Sequence, residues 1–324
     1  MSCTTESSEK EQIGREVVAR ALADGDAVTV LRRREVEPSP GLRRVAGDVR
    51  DPAILAEALE GADAIQACFH APYDARQWAR DLPPRELAVL DAAAERGIPV
   101  VFPESMYGFQ GAARDLAEGA APSPLDAKGA VRIALLSQRL AHPARTLSII
   151  ASDLVGPTTM GTGASVACAM VIEPILAGRR PIVFGAPDAP HTLTFVPDLA
   201  RAMLHAARHG DRLTAHGEGD AVLHAPSAPA RTQQELIWAV SALTGRRPRR
   251  PWRIPRWSVR ALSGVSTFAR ELSGISELWY APCVLRPGVL TSQEGLAPTA
   301  WEEAVRLTTA LPSAPASASE GAAA

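Results

Sequence analysis

A chain of 324 residues, 46% hydrophobic and 22% charged, has ample material for a core and suits one large α/β domain or two intertwined lobes. Its formal net charge of -2 gives no reason to expect a nucleic acid or an anionic membrane as the main partner. No apolar run is long enough to span a bilayer, residues 1–12 are too polar for a secretory signal, and Cys3, Cys68, Cys168 and Cys283 show neither CxxC nor metal-ligand spacing, so a reducing cytoplasm is the expected setting.

The N-terminal "MSCTTESSEKEQ" is polar, and Glu6 makes "CTTE" a poor candidate for a central buried strand. Residues 14–24 then read as an amphipathic helix stopped at Gly25, and 27–31 as a buried strand. A short strand is expected around Arg43–Ala46, followed by a helix capped by Asp51 with Pro52 at its first position. "ADAIQAC" (62–68) reads as a buried strand, and "PPRELAVLDAAAERG" as a helix opened by its prolines and closed by Gly97. A strand at 99–103, a helix at 128–140 and a strand at 146–151 complete the series. Apolar runs separated by helices predict a parallel sheet covered on both faces, with an active site at the carboxyl ends of its strands.

From Gly156 the rhythm loosens. "GASVACAMVIEPILAG" reads as helical, "PIVF" and "LTFV" as short strands, and "PDLARAMLHAARHG" as a helix opened by Pro197. Capping boxes are expected at Thr232 with Glu235 and at Thr299 with Glu302. The basic stretch "RRPRRPWRIPRW" (246–257) reads as a connector crossing the surface, and 268–283 as a lid or an interface. The tail 311–324 has the composition of a disordered segment. No GxSxG elbow, HExxH or other metal-ligand cluster is present, so no metal is expected.

Taken together, "QIGREVVARALADGDAVTVLRR", "VAGDVRDPAILAEALEGADAI", "FPESMYG", "SDLVGP" and "PHTLTFVPDLARAM" resemble the short-chain dehydrogenase/reductase superfamily over roughly residues 12–310. The likeness is to its atypical members and its NAD(P)-dependent epimerase/dehydratase branch. It implies a Rossmann-like, doubly wound parallel sheet in residues 1–157, with a degenerate first strand and glycine-rich turn. A smaller, mainly substrate-binding lobe follows in 158–310, with segments returning to the sheet.

The family turn is GxxGxxG, and Gly14 matches its third glycine. The first two then fall on Ser8 and Glu11. Glu11, with Glu9 nearby, would oppose a pyrophosphate, and a charge pair about 4 Å apart at a surface is worth on the order of 4 kcal/mol. No cofactor is therefore favoured, with NADP(H) as the alternative. That alternative draws on Arg32, Arg33 and Arg34 at a strand end where NADP-preferring relatives carry a basic residue, and on Asp48, which matches an adenine contact; a solvated strand end and a turn residue are the plain readings of the same positions.

The family's Tyr-x-x-x-Lys pair is represented only by Lys128, because Pro124 stands at the tyrosine position. Tyr107 matches a different family tyrosine near the substrate, and Ser105 or Glu104 stands in for the family serine. Asp153 and His191 match positions lining the pocket, and His70 and Tyr73 follow the strand beside the nicotinamide. Tyr107, Lys128, Asp153, His191 and Ser105 are thus the candidate catalytic groups, with His70, Tyr73 and Glu104 lining the substrate pocket.

Three functions stay open. The first is a non-redox cyclase, isomerase or dehydratase on a carbonyl- or hydroxyl-bearing small molecule, with nicotinamide binding impaired. The others are an NADP-dependent reductase or epimerase and a non-catalytic sensor or scaffold. A homodimer follows by analogy, and neither nucleic acid nor membrane is expected as a partner.

Overall fold

The computed structural model describes residues 2–4, 12–33, 41–162, 165–214, 219–262, 270, 273–274 and 276–310. The readings of Glu6, Ser8, Glu9, Glu11, Arg34 and the tail 311–324 concern residues outside these. In chain order the first half comprises β1 (Ser2–Thr4), α1 (Ile13–Ala23), β2 (Val28–Arg32), β3 (Leu42–Ala46), α2 (Pro52–Ala58), β4 (Ile65–Ala67), α3 (Ala75–Arg96), β5 (Val100–Ser105), α4 (Ala127–Leu140) and β6 (Thr146–Ala151). Next come β7 (Asp153–Val155), α5 (Glu173–Leu176), β8 (Ile182–Phe184), β9 (Pro190–His191), β10 (Leu193–Phe195), α6 (Val196–Arg208), α7 (Gly210–Leu213) and β11 (Asp220–His224). The remainder is β12 (Arg231–Thr232), α8 (Gln233–Leu243), β13 (Trp252–Ile254), α9 (Arg256–Leu262), α10 (Glu277–Tyr280), α11 (Val289–Ser292) and α12 (Trp301–Thr309).

Seven parallel strands form one sheet in the order β11-β6-β5-β4-β1-β2-β3. The order reverses between β1 and β4, which opens the crevice where ligands bind in doubly wound sheets. One face is covered by α1 and α6, through residues such as Val17, Ala21, Leu199 and Met203. The other is covered by α2, α3 and α4, through Leu55, Trp78, Leu90 and Leu135. A second core joins Phe109, Phe184, Ile237 and Trp279 in the C-terminal half, and β11 returns from that half to pair with β6.

Four sequence expectations change. Ser2–Thr4 does occupy the centre of the sheet, paired with Thr29–Leu31 on one side and Ile65–Ala67 on the other. Its backbone pairs with a neighbour on each side, which suffices for so short a strand. Helix α3 begins at Ala75, not at its prolines: Asp74 caps it by accepting from Gln77 N at 2.9 Å, and Pro83 and Pro84 lie inside, forfeiting two interior hydrogen bonds. Gly97 closes it in the left-handed conformation, as expected. The Thr232–Glu235 capping box forms, but Thr299 bonds through its amide and hydroxyl to buried Asp198 instead, and α12 starts at Trp301. The stretch 246–257 contains β13, which pairs with β8.

A buried charge cluster ties α3, α4, β5 and β6 together. Arg139 forks onto both oxygens of Glu86 at 2.6 and 2.8 Å, reaches Glu104 at 3.1 Å and Ser148 Oγ at 3.0 Å, and lies 3.9 Å from the Phe102 ring centroid. Removing the guanidinium strands the buried Glu86 carboxylate and leaves buried Glu104 with Arg132 alone. Arg139→Met is therefore expected to lower stability by about 3–5 kcal/mol, read as a shifted urea midpoint. A loss under about 1 kcal/mol would show that the cluster does not hold these elements.

Candidate active site

The site forms where β4 and β5 end. Pro72 and Tyr73 follow β4, and Tyr107 lies two residues beyond β5, in the 3₁₀ stretch Met106–Asp115. Helix α4 comes in against them, capped by Asp126, which accepts from Gly129 N at 2.8 Å. Gly129 makes the approach possible: a Cβ there would stand 2.3 Å from the Tyr107 carbonyl oxygen and 2.9 Å from Pro124 Cβ.

This packing brings together four of the expected residues. The Tyr73 and Tyr107 hydroxyls are 3.2 Å apart. Lys128 is buried at 1% exposure, with Nζ 3.5 Å from Asp126 Oδ2 and 4.8 Å from the Tyr73 ring centroid. The Tyr107 ring stacks on Trp78 at 6.2 Å, and His70 and Tyr73 meet the same indole edge-on. His70 reaches solvent at the cleft mouth, yet both ring nitrogens are engaged: Arg132 donates to Nε2 at 3.0 Å, and Nδ1–H donates to Ala71 O at 2.6 Å.

The electrostatics follow from these contacts. Burial pushes the Tyr107 hydroxyl up to about 12, with the nearby Asp153 carboxylate adding to the rise. The protein around His70, and then the Arg132 charge, hold its imidazole down to about 4. Both groups are therefore neutral at physiological pH. Arg132 also ion-pairs with Glu104 at 3.5 Å and lies 4.8 Å from the Trp78 ring centroid. Glu104 is thus committed to Arg132 and Arg139, and it accepts from the Ser105 amide at 2.7 Å, which places Ser105 at the strand end beside it.

Asp153 lies one strand farther, at the start of β7, and caps the turn entering the segment 166–176. It accepts from Ser165 Oγ at 3.2 Å, Val166 N at 3.2 Å and Ala167 N at 2.8 Å. His191 sits apart in the C-terminal half, buried and stacked on Trp279 at 3.8 Å, where burial drives it down to about 3. Trp78, Arg132, Asp126 and Gly129 were not singled out from the sequence. Arg132 had a signal, since it lies one helical turn beyond Lys128 on the same face.

Several residues expected at a dinucleotide site stand around the crevice at β1 and β4. Gln12 enters α1 without a side-chain cap, so the first-turn amides are offered by backbone alone, and Gly14 is buried just inside. Gln12 is 6% exposed; its amide donates to Thr162 Oγ1 at 2.8 Å, while its buried Oε1 has no partner among the described residues. Arg32 closes β2 and Arg33 follows it at the surface. Asp48 is held by Arg50, which donates from its backbone amide at 2.9 Å and its guanidinium at 2.7 and 3.0 Å and keeps the carboxyl near 2.

Residues 11–218 match the model of the NAD dependent epimerase/dehydratase family. Among solved structures, the Bordetella bronchiseptica enzyme WbmH in complex with NAD+ aligns at 18% identity over 95% of this chain and 97% of its own, with a TM-score of 0.70. MoeE5 in complex with UDP-glucose and NAD aligns at 20% over 95% and 97%, with a TM-score of 0.71. UDP-glucose 4-epimerase from Thermotoga maritima with UDP-glucose aligns at 15% over 95% and 97%, with a TM-score of 0.70. No curated protein sequence matches. At these identities the likeness establishes the fold. It also corrects the expectation that no cofactor is favoured, because WbmH and MoeE5, which share this fold over nearly their whole length, hold NAD. The charge argument from Glu9 and Glu11 weighed side chains alone, whereas the strand–helix frame that supplies the backbone amides is intact.

Burial raises the Asp153 carboxyl to about 6. Its contribution to stability is complete below the ordinary carboxylate range and is lost as pH rises through about 6, on the order of 2–3 kcal/mol. Urea melts should therefore show Asp153→Asn gaining on the wild type from about pH 4 to about pH 7. A difference independent of pH would refute the assignment.

Proposed function

The chain belongs to the NAD-dependent epimerase/dehydratase family, and from that premise we propose that it is a nicotinamide-dependent enzyme acting on a hydroxyl- or carbonyl-bearing small molecule. The observation carrying this reading is the hydroxyl pair Tyr73–Tyr107, 3.2 Å apart and backed by Lys128. It supplies two phenolic hydroxyls, with the lysine over the ring of one, although Pro124 occupies the usual tyrosine position.

When bound, the dinucleotide supplies a hydride acceptor and donor. Gly14 and the first-turn amides of α1 would hold its pyrophosphate, with Arg32 and Arg33 toward the adenosine end. Tyr107, protonated throughout the physiological range, donates to a substrate oxygen and is its proton source. Tyr73, 40% exposed, passes the proton onward between Tyr107 and solvent. The Lys128 cation favours whichever phenolate develops. Trp78 holds the rings in place, and the Arg132–His70 bond braces the same indole. Asp153, near 6, exchanges a proton close to neutrality. UDP-sugars, which MoeE5 and the T. maritima epimerase hold, are the first substrates to assay.

NADH titrated into the protein should enhance its fluorescence with saturable binding. Tyr107→Phe and Tyr73→Phe should each lower kcat roughly 10²–10⁴-fold while leaving that binding unchanged. Absence of dinucleotide binding at millimolar concentration, or full turnover by the doubly substituted protein, would refute the reading.

A further inference from the structure

Between Glu235 and Glu271 the chain carries eight arginines and no carboxylate, against a formal net charge of -2 for the whole. The structure spreads the central part of this run over the surface. Arg246, Arg247, Arg249, Arg250 and Arg253 are all exposed, and among the described residues no carboxylate pairs with Arg247, Arg249, Arg250 or Arg253. Two tryptophans stand within the same stretch, Trp252 at 61% and Trp257 at 72% exposure. Large indoles so open to water beside uncompensated cations are costly as a free surface and typical of a contact surface.

The ribbon is held, not dangling. β13 pairs in parallel with β8, Trp252 N donates to Pro181 O at 2.9 Å, and Arg246 reaches Leu176 O at 3.1 Å. Arg180 bonds the Arg250 carbonyl and places its guanidinium 4.5 Å from the Trp252 ring centroid. One indole face is thereby occupied, so a nucleobase cannot be sandwiched there, while the ring edge stays open. Pro248, Pro251 and Pro255 keep the stretch from forming a helix that could enter a DNA groove.

We propose that Arg247, Arg249, Arg250 and Arg253, with Trp252 and Trp257, form a docking surface for an anionic phospholipid bilayer. Guanidinium forks match lipid phosphates, and indoles settle at the headgroup level with the apolar body inward and the N–H toward water. The local excess of positive charge on a slightly acidic protein orients this face toward the bilayer before contact. No helix of the described residues is long and apolar enough to cross a membrane, so the attachment is peripheral and reversible.

The test is co-sedimentation of the full chain with vesicles of phosphatidylcholine alone and of phosphatidylcholine containing phosphatidylserine, with tryptophan emission recorded on the same samples. Binding is expected only to the anionic vesicles, weakening with salt and accompanied by a blue shift. Replacing Arg247, Arg249 and Arg250 together by alanine should lower the affinity about a hundredfold, at roughly fivefold per arginine. Trp252→Ala with Trp257→Ala should abolish the blue shift. These side chains are exposed, and unchanged circular dichroism checks that both variants fold. Failure to bind anionic vesicles, equal binding to neutral ones, or indifference to the arginine replacements would overturn the proposal. Binding to single-stranded oligonucleotide without vesicle binding would overturn it in favour of nucleic acid.

Discussion

The position of α4 is the constraint on which the site depends. At its C-terminal end Arg139 is held between Glu86 of α3 and Glu104 of β5, with Ser148 of β6 as a further acceptor. At its N-terminal end Gly129 lets the backbone close onto the Tyr107 carbonyl. Held at both ends, the helix has little freedom to slide, and Lys128 is brought over the Tyr73 ring. A buried ion cluster is a costly way to join elements, since desolvation offsets much of the attraction. It is directional, however, and fixes the register of α4 against the strand ends in a way that apolar packing alone does not.

The chemistry of the cleft follows from the same packing. Its cations, Lys128 and Arg132, come from one helix face a turn apart, whereas its neutral groups come from the loops after β4 and β5. Trp78 is the common wall, touching His70, Tyr73 and Tyr107 and lying under Arg132. Because burial keeps Tyr107 protonated, and the protein around His70 with the Arg132 charge keeps its imidazole unprotonated, the cleft presents a hydroxyl donor beside fixed positive charge. That arrangement favours negative charge developing on a substrate oxygen.

Much of this was legible in the sequence. The 146–151 strand stands where its apolar run placed it, and Tyr73, Tyr107, His70 and Lys128 were all named from the family resemblance, by the positions they match. Trp78 was missed because Pro83 and Pro84 looked like the opening of α3, which hid the two turns before them. The second half was less readable: the stacking of His191 on Trp279 and the capture of Thr299 by Asp198 are long-range contacts that no local period encodes. At the N-terminus the sequence misled, because the polar character of Ser2–Thr4 conceals a strand held by backbone pairing on both sides.

The most direct test is a crystal structure grown with NAD+. The dinucleotide is expected across the crevice between β1 and β4, its pyrophosphate on the α1 amides and its nicotinamide end toward Tyr107 and Lys128. A dinucleotide seated elsewhere, or no dinucleotide in the crevice at saturating NAD+, would contradict this placement.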